Sequence, residues 1–166
     1  MKKYLLILSV LVVGLASCSK EKTQPVPVVD VAAQAKIDND LILAYLNGHP
    51  NILATKDETS GVYYQVLDAG TGEAITPSSK LIVNYEGKDL KDVVFEAKDN
   101  LSFTLPQVIA GWQIGLPKIK NGGKILLIIP SNYGYGPYVN GPIPANSVLI
   151  FTITVKSVDG KTPAVG

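Results

Sequence analysis

The sequence has no arginine, one cysteine, one histidine and one tryptophan, and each scarcity closes off a class of function. Its 15 basic residues, all lysine, stand against 14 acidic ones. A near-neutral chain without arginine lacks the electrostatic footprint of a nucleic-acid binder, so a nucleic-acid partner is excluded. The single cysteine, Cys18, rules out an internal disulfide framework. The single histidine, His49, cannot build a His-rich metal centre, and with no Cys/His cluster neither metal nor cofactor is expected. His49 lies in Asn47-Gly48-His49-Pro50, whose Gly and Pro predict a turn with an exposed histidine.

Also missing is any apolar run long enough to span a bilayer, which takes ~20 residues. Residues 4–13 form a shorter one behind Lys2 and Lys3, followed by Leu15-Ala16-Ser17-Cys18. A charged start, an apolar run and a small-residue cleavage region predict a targeting segment over residues 1–17. Leu-Ala-Ser-Cys resembles the lipobox of bacterial lipoproteins, which implies that Cys18 carries lipid and anchors the chain to a membrane. Ser19 after that cysteine resembles the sorting signal for the outer membrane of a Gram-negative bacterium, so the expected location is the cell envelope. Removing Lys2 and Lys3 leaves 13 lysines against 14 acidic residues. Residues 18–29, polar and then proline-bearing, are expected to be a tether.

Asp30 offers an N-cap for a helix reaching about Asn47, with Gly48 as its stop. Ile37, Leu41 and Tyr45 recur every four residues, and Ile42 and Leu46 widen the stripe. Such a helix packs on the domain's own surface or serves as an arm for dimerisation through residues 30–47. With its connector it fills residues 30–57. From residue 58 to 160 the pattern is β-rich. Strands are expected at 61–68, 80–86, 101–105, 124–129 and 148–158, with a short helix around Trp112 ending near Pro117. Gly70-Thr71-Gly72 and Asn121-Gly122-Gly123 are turn signals, and neither sits in a phosphate-binding frame. The fold class is therefore α+β, a curved antiparallel sheet of about five strands wrapped on one short helix, with an added N-terminal helix and a tail at 161–166.

The stretch that organises this domain is Val108-Ile109-Ala110-Gly111-Trp112-Gln113-Ile114-Gly115. Its two glycines are spaced to let another backbone come close. A lone Trp is more often core than binding floor, because its large ring buries well. Other aromatic segments shift that balance. Tyr85-Glu86-Gly87 lies upstream and Tyr133-Gly134-Tyr135-Gly136 downstream; with Phe95 and Phe151 they point to one apolar cup.

Six ordered motifs across residues 60–160 resemble the FKBP-type peptidyl-prolyl cis-trans isomerases. They are Gly61-Val62-Tyr63-Tyr64 with Gly70-Thr71-Gly72; Val83-Asn84-Tyr85-Glu86-Gly87; Val94-Phe95-Glu96; Val108-Ile109-Ala110-Gly111-Trp112; Gly122-Gly123-Lys124 with Ile129-Pro130-Ser131 and the Tyr133–Gly136 loop; and Ile143-Pro144 leading to Leu149-Ile150-Phe151. The resemblance implies that Trp112 is the floor for a substrate prolyl ring, with Tyr85, Phe95, Val108, Ile109, Tyr135, Ile143 and Phe151 as walls. It further implies that the Ile109 amide and the Tyr135 hydroxyl donate to the bound peptide, and that Tyr85 orients the Glu96 carboxylate. The family usually has Asp where this chain has Glu96, and Lys98 replaces the Arg that pairs with the acid in some members.

Such a cup suits one reaction. An X–Pro bond prefers trans by only ~0.5–1 kcal/mol yet isomerises over tens to hundreds of seconds. The barrier of roughly 18–20 kcal/mol is lost amide resonance. Twisting reduces charge separation, so an apolar hollow favours the twisted amide over the planar one. Fixed donors can hold the flanking peptide. Neither nucleophile nor general base is needed. The expected partners are proline-containing exported polypeptides. The alternatives are a non-catalytic proline-peptide-binding or chaperone module, and a structural lipoprotein in which the cup is only core.

Overall fold

The computed structural model describes residues 30–163. The targeting segment, Cys18 and the tether lie outside them, as do the last three residues.

A helix, α1 (Val31–Gly48), precedes six strands: β1 (Thr55–Lys56), β2 (Tyr63–Asp68), β3 (Lys80–Lys88), β4 (Val94–Thr104), β5 (Lys124–Ile129) and β6 (Leu149–Val158). A second helix, α2 (Ala110–Gly115), lies between β4 and β5. All strand pairs are antiparallel, in the order β1-β2-β5-β6-β3-β4. The expected antiparallel α+β architecture is present, with one more strand than expected. The additional strand, β1, spans two residues, too few for alternation to register. β4 starts at Val94 rather than 101, and a register shift within it falls opposite Val83 and Tyr85. There the Asn84 side chain accepts from the Asn100 amide at 2.9 Å.

β5 shows why the sheet is not wrapped on one helix alone. Its solid apolar run is buried on both faces. Ile125, Leu127 and Ile129 join the core containing Trp112, while Leu126 and Ile128 join a second core with Ile42 and Tyr45 of α1. β6 divides in the same way, Phe151 and Ile153 to one side and Ile150 to the other. A strand covered on both faces loses the polar half of its alternation. α1 therefore packs on the domain's own sheet.

Asp30 caps α1 as expected, accepting from the Ala32 and Ala33 amides at 3.1 Å each. The buried face differs from the expected stripe. Asp38, Ile42 and Tyr45 turn inward, whereas Ile37 and Leu41 are 52% and 44% exposed. The expected stripe skipped Asp38 because it is polar, and this shifted the axis by about one residue. Gly48 is inside the helix rather than its stop; His49 caps it, its amide donating to the Leu46 carbonyl at 3.0 Å. Nor is His49 a freely exposed turn residue. Its ring stacks on Tyr45 at 3.9 Å between centroids, and Nε2 lies 3.1 Å from Asp92. Asp92 also accepts from the Tyr45 hydroxyl at 2.8 Å and pairs with Lys88, so the hairpin after β3 is tied to α1.

α2 rests directly on β5. A Cβ at Gly111 or Gly115 would collide with the side chains of Ile129 or Leu127, respectively. The two glycines admit side chains of the sheet, not a second backbone, and so bring Trp112 down against the concave face.

Candidate active site

Trp112, in the first turn of α2, is 4% exposed and held by rings from three directions. Tyr85 and Phe151 meet it edge-on at centroid distances of 5.0 and 5.2 Å, and Phe103 lies at 5.6 Å. Edge-to-face contacts at these distances are the favoured aromatic geometry, so the indole is a fixed surface. A hollow of about 240 Å³ adjoins it.

Seven of the expected residues line this hollow: Tyr85, Glu96, Val108, Ile109, Trp112, Tyr135 and Phe151. Phe95 and Ile143 do not. They line an adjoining recess, which shares Glu96 and Tyr135 with the main hollow. Leu101 and Gln107 line the hollow and were missed. Leu101 carried a signal, as part of the alternation through Phe103 and Leu105. Gln107 carried none; its Oε1 accepts from the Thr104 amide at 3.0 Å, a contact visible only once the chain is folded.

The approach to α2 is held by Gln113, whose Nε2 donates to the Val108 carbonyl at 2.7 Å. Ile109 is the N-cap of the helix, with φ −56° and ψ 148°. Among the described residues its amide has no hydrogen-bond acceptor. Tyr135 follows a 3-10 turn at Ser131–Tyr133, and the Gly134 and Gly136 amides on either side of it both donate to the Ser131 carbonyl, at 3.0 and 2.9 Å.

One carboxylate sets the electrostatics. Glu96 pairs with Lys98 at 2.6 Å, and that contact, against the opposing effect of burial, holds its carboxyl below the usual range. Burial, followed by the neighbouring Glu96, pushes the Tyr85 phenol well up; the same two causes raise Tyr135. Both phenols therefore stay protonated at neutral pH and are available as donors. The site combines a fixed indole, apolar walls and neutral donors at one rim. Among the described residues no group of three His, Cys, Asp or Glu side chains is placed to hold a metal ion.

The family model for FKBP-type peptidyl-prolyl cis-trans isomerase matches residues 71–156, a stretch that contains all nine proposed pocket residues. The chain belongs to that family. FkpA of Escherichia coli K12, an FKBP-type peptidyl-prolyl cis-trans isomerase, is 36% identical over 140 residues, 78% of this chain and 52% of that protein. The outer membrane protein MIP of Legionella longbeachae is 33% identical over 132 residues, 76% of this chain and 55% of that protein. The crystal structure of E. coli FkpA superposes with a TM-score of 0.63 over 81% of this chain and 65% of that one. This FKBP-type chain spans about half the length of the curated relatives it matches. Family membership accounts for the order of the motifs, and the geometry above accounts for what the motif residues touch.

Proposed function

We propose that the chain is a peptidyl-prolyl cis-trans isomerase that accelerates rotation about X–Pro bonds in exported polypeptides. One observation carries this reading: an apolar hollow beside the immobilised Trp112 indole, rimmed by the neutral Tyr135 phenol and the unpaired Ile109 amide. In this mechanism the prolyl ring lies on Trp112, between Tyr85, Val108 and Phe151. The planar amide, with its larger charge separation, is poorly solvated there, and the twisted one loses less. Ile109 N–H and Tyr135 O–H hold carbonyls flanking the rotating bond. Phe95 and Ile143 would contact the neighbouring substrate residue in the adjoining recess, and Tyr85 would steer Glu96 at the rim. Stabilising the twisted form by about 4 kcal/mol accelerates rotation about a thousandfold.

The test is an isomerase assay on proline-containing peptides beside a binding measurement on the same peptides. Acceleration that is lost in Trp112→Ala supports the reading. Undiminished peptide binding with no acceleration would leave a non-catalytic binding module.

We also propose that Cys18 anchors the protein to the envelope, with the outer membrane as the site, through the tether 18–29. Support comes from the lipobox-like residues and from the name of the Legionella relative. Retention in the membrane fraction that Cys18→Ala abolishes is the expected result. The half-exposed Ile37 and Leu41 on α1 favour pairing of two copies along that strip: in analytical ultracentrifugation the parent should sediment as a dimer and an Ile37→Lys variant as a monomer, and a monomeric parent would refute the pairing.

A further inference from the structure

The mechanism leaves one buried charge unused. Asp38 on α1 has no solvent exposure, and a buried carboxylate is costly unless its oxygens are bonded. Here both are. Oδ1 accepts from Gln34 Nε2 at 2.8 Å. Oδ2 accepts twice from Ser131, from its amide at 2.8 Å and its hydroxyl at 2.7 Å. Bonds to an ionised acceptor are the strong and directional ones. Ser131 is itself fully buried.

What Ser131 does with its remaining polar atom gives the arrangement its meaning. Its carbonyl accepts from Gly134 and Gly136, the residues on either side of Tyr135. One serine is thus gripped through its amide and hydroxyl by α1, and through its carbonyl grips both flanks of the Tyr135 position. Holding α1 in place does not require this carboxylate. Ile42 and Tyr45 bury the helix in the second core, Asn39 accepts from the Tyr63 hydroxyl at 3.0 Å, and Tyr45 donates to Asp92. An apolar residue at 38 would dock without desolvating a charge; what it could not do is fix Ser131.

We infer that Asp38 is a positioning residue of the isomerase site, which acts through Ser131 to place the Tyr135 hydroxyl and so couples α1, on one face of the sheet, to the hollow on the other. The inference rests on the isomerase reading for its kinetic consequence and on the hydrogen bonds alone for its structural one.

The full chain is assayed as parent, Asp38→Ala, Tyr135→Phe and the double variant, together with amide hydrogen exchange. Small misplacements of a catalytic group cost up to about a hundredfold, so Asp38→Ala alone is expected to lower kcat/KM between about tenfold and a hundredfold. In the Tyr135→Phe background it should cost nothing further, because the hydroxyl it positions is gone. A merely structural role would instead multiply the two losses. Exchange at Gly134 and Gly136 should quicken while β5 and β6 amides stay protected. Independent kinetic losses, or unchanged exchange in the loop, would overturn the proposal. Should Asp38→Ala fail to fold, Ser131→Ala, which keeps the amide donor, takes its place with a smaller effect in the same direction. A parent without isomerase activity would defeat the functional reading, and loop exchange would still decide whether Asp38 holds the Tyr135 segment.

Discussion

Gly87 and Phe151 face each other across the β3–β6 ladder, and Gly87 has no room for a side chain. A Cβ there would lie 2.6 Å from Phe151 Cε1 and 2.6 Å from Phe95 Cε2. Phe95 and Phe151 meet edge-on above it at 5.7 Å, the first lining the recess and the second the main hollow. The missing side chain lets both rings settle on the strand. Gly87→Ala should force them apart, with the cost of overpacking a tight site, about 1–3 kcal/mol. Denaturant unfolding reads that cost, and the peptide assay should show reduced kcat/KM. Unaltered stability would mean the rings yield freely and are not held as described.

Trp112 carries a second consequence. Among the described residues its buried indole N–H has no acceptor. An unpaired buried donor costs about 1–3 kcal/mol. Trp112→Phe removes that penalty together with some packing, so it should destabilise less than truncation to alanine. Trp112→Ala, which leaves a cavity, should cost about 3–5 kcal/mol. Equal losses in equilibrium unfolding would contradict this account. Proline-peptide affinity should fall in both, since each removes surface on which the ring lies.

These two positions also mark how far the chain could be read before folding. The cup was legible because its residues fall in short ordered motifs, each beside a turn or strand end that marks its place. The function of Gly87 was not, because its contacts come from strand register across β6. Phe95 and Ile143 were placed in the right neighbourhood but on the far side of the Glu96–Tyr135 rim, a distinction of side-chain direction. The face of α1 was misjudged for a physical reason. Hydrophobic periodicity gives no weight to a carboxylate, and Asp38 is among the helix's most deeply buried side chains. Buried polar residues become legible only when folding has brought their partners, here Ser131 and Gln34, beside them.

The Glu96–Lys98 pair predicts a pH effect. Its depressed carboxyl keeps Glu96 charged above the ordinary 4.5 and for some distance below it. The stabilisation is present above 4.5 and fades as pH falls through the lower folded value. Both partners are more than a third exposed, so the pair contributes about 0–1 kcal/mol. Lys98→Met should move the acid-side inflection of kcat/KM upward toward 4.5. Glu96→Asp shortens the reach toward Lys98 and restores the family's usual acid at the rim, and the rate is expected to rise. An unchanged rate would show that the rim carboxylate does not limit turnover.

Asp92 offers the plainest test of how α1 is fastened. Hydrogen bonds from Lys88 and then Tyr45 hold its carboxyl down at about 2, against an ordinary 3.8. A depressed folded value stabilises the native state fully above 3.8, and the gain is lost as pH falls from there through about 2. Solvent reaches 43% of that side chain, so the contribution is on the order of 1 kcal/mol rather than the ~2.4 kcal/mol that the shift alone would imply. Asp92→Asn should therefore melt several degrees below the parent at pH 7. The gap should narrow below pH 4 and nearly close at pH 2, where the parent's own carboxyl is taking up its proton. Other carboxylates titrate over the same range but are common to both proteins, so the difference in Tm isolates this one. A gap that stays constant from pH 7 to pH 2 would show that the ionised carboxylate contributes nothing to holding the helix.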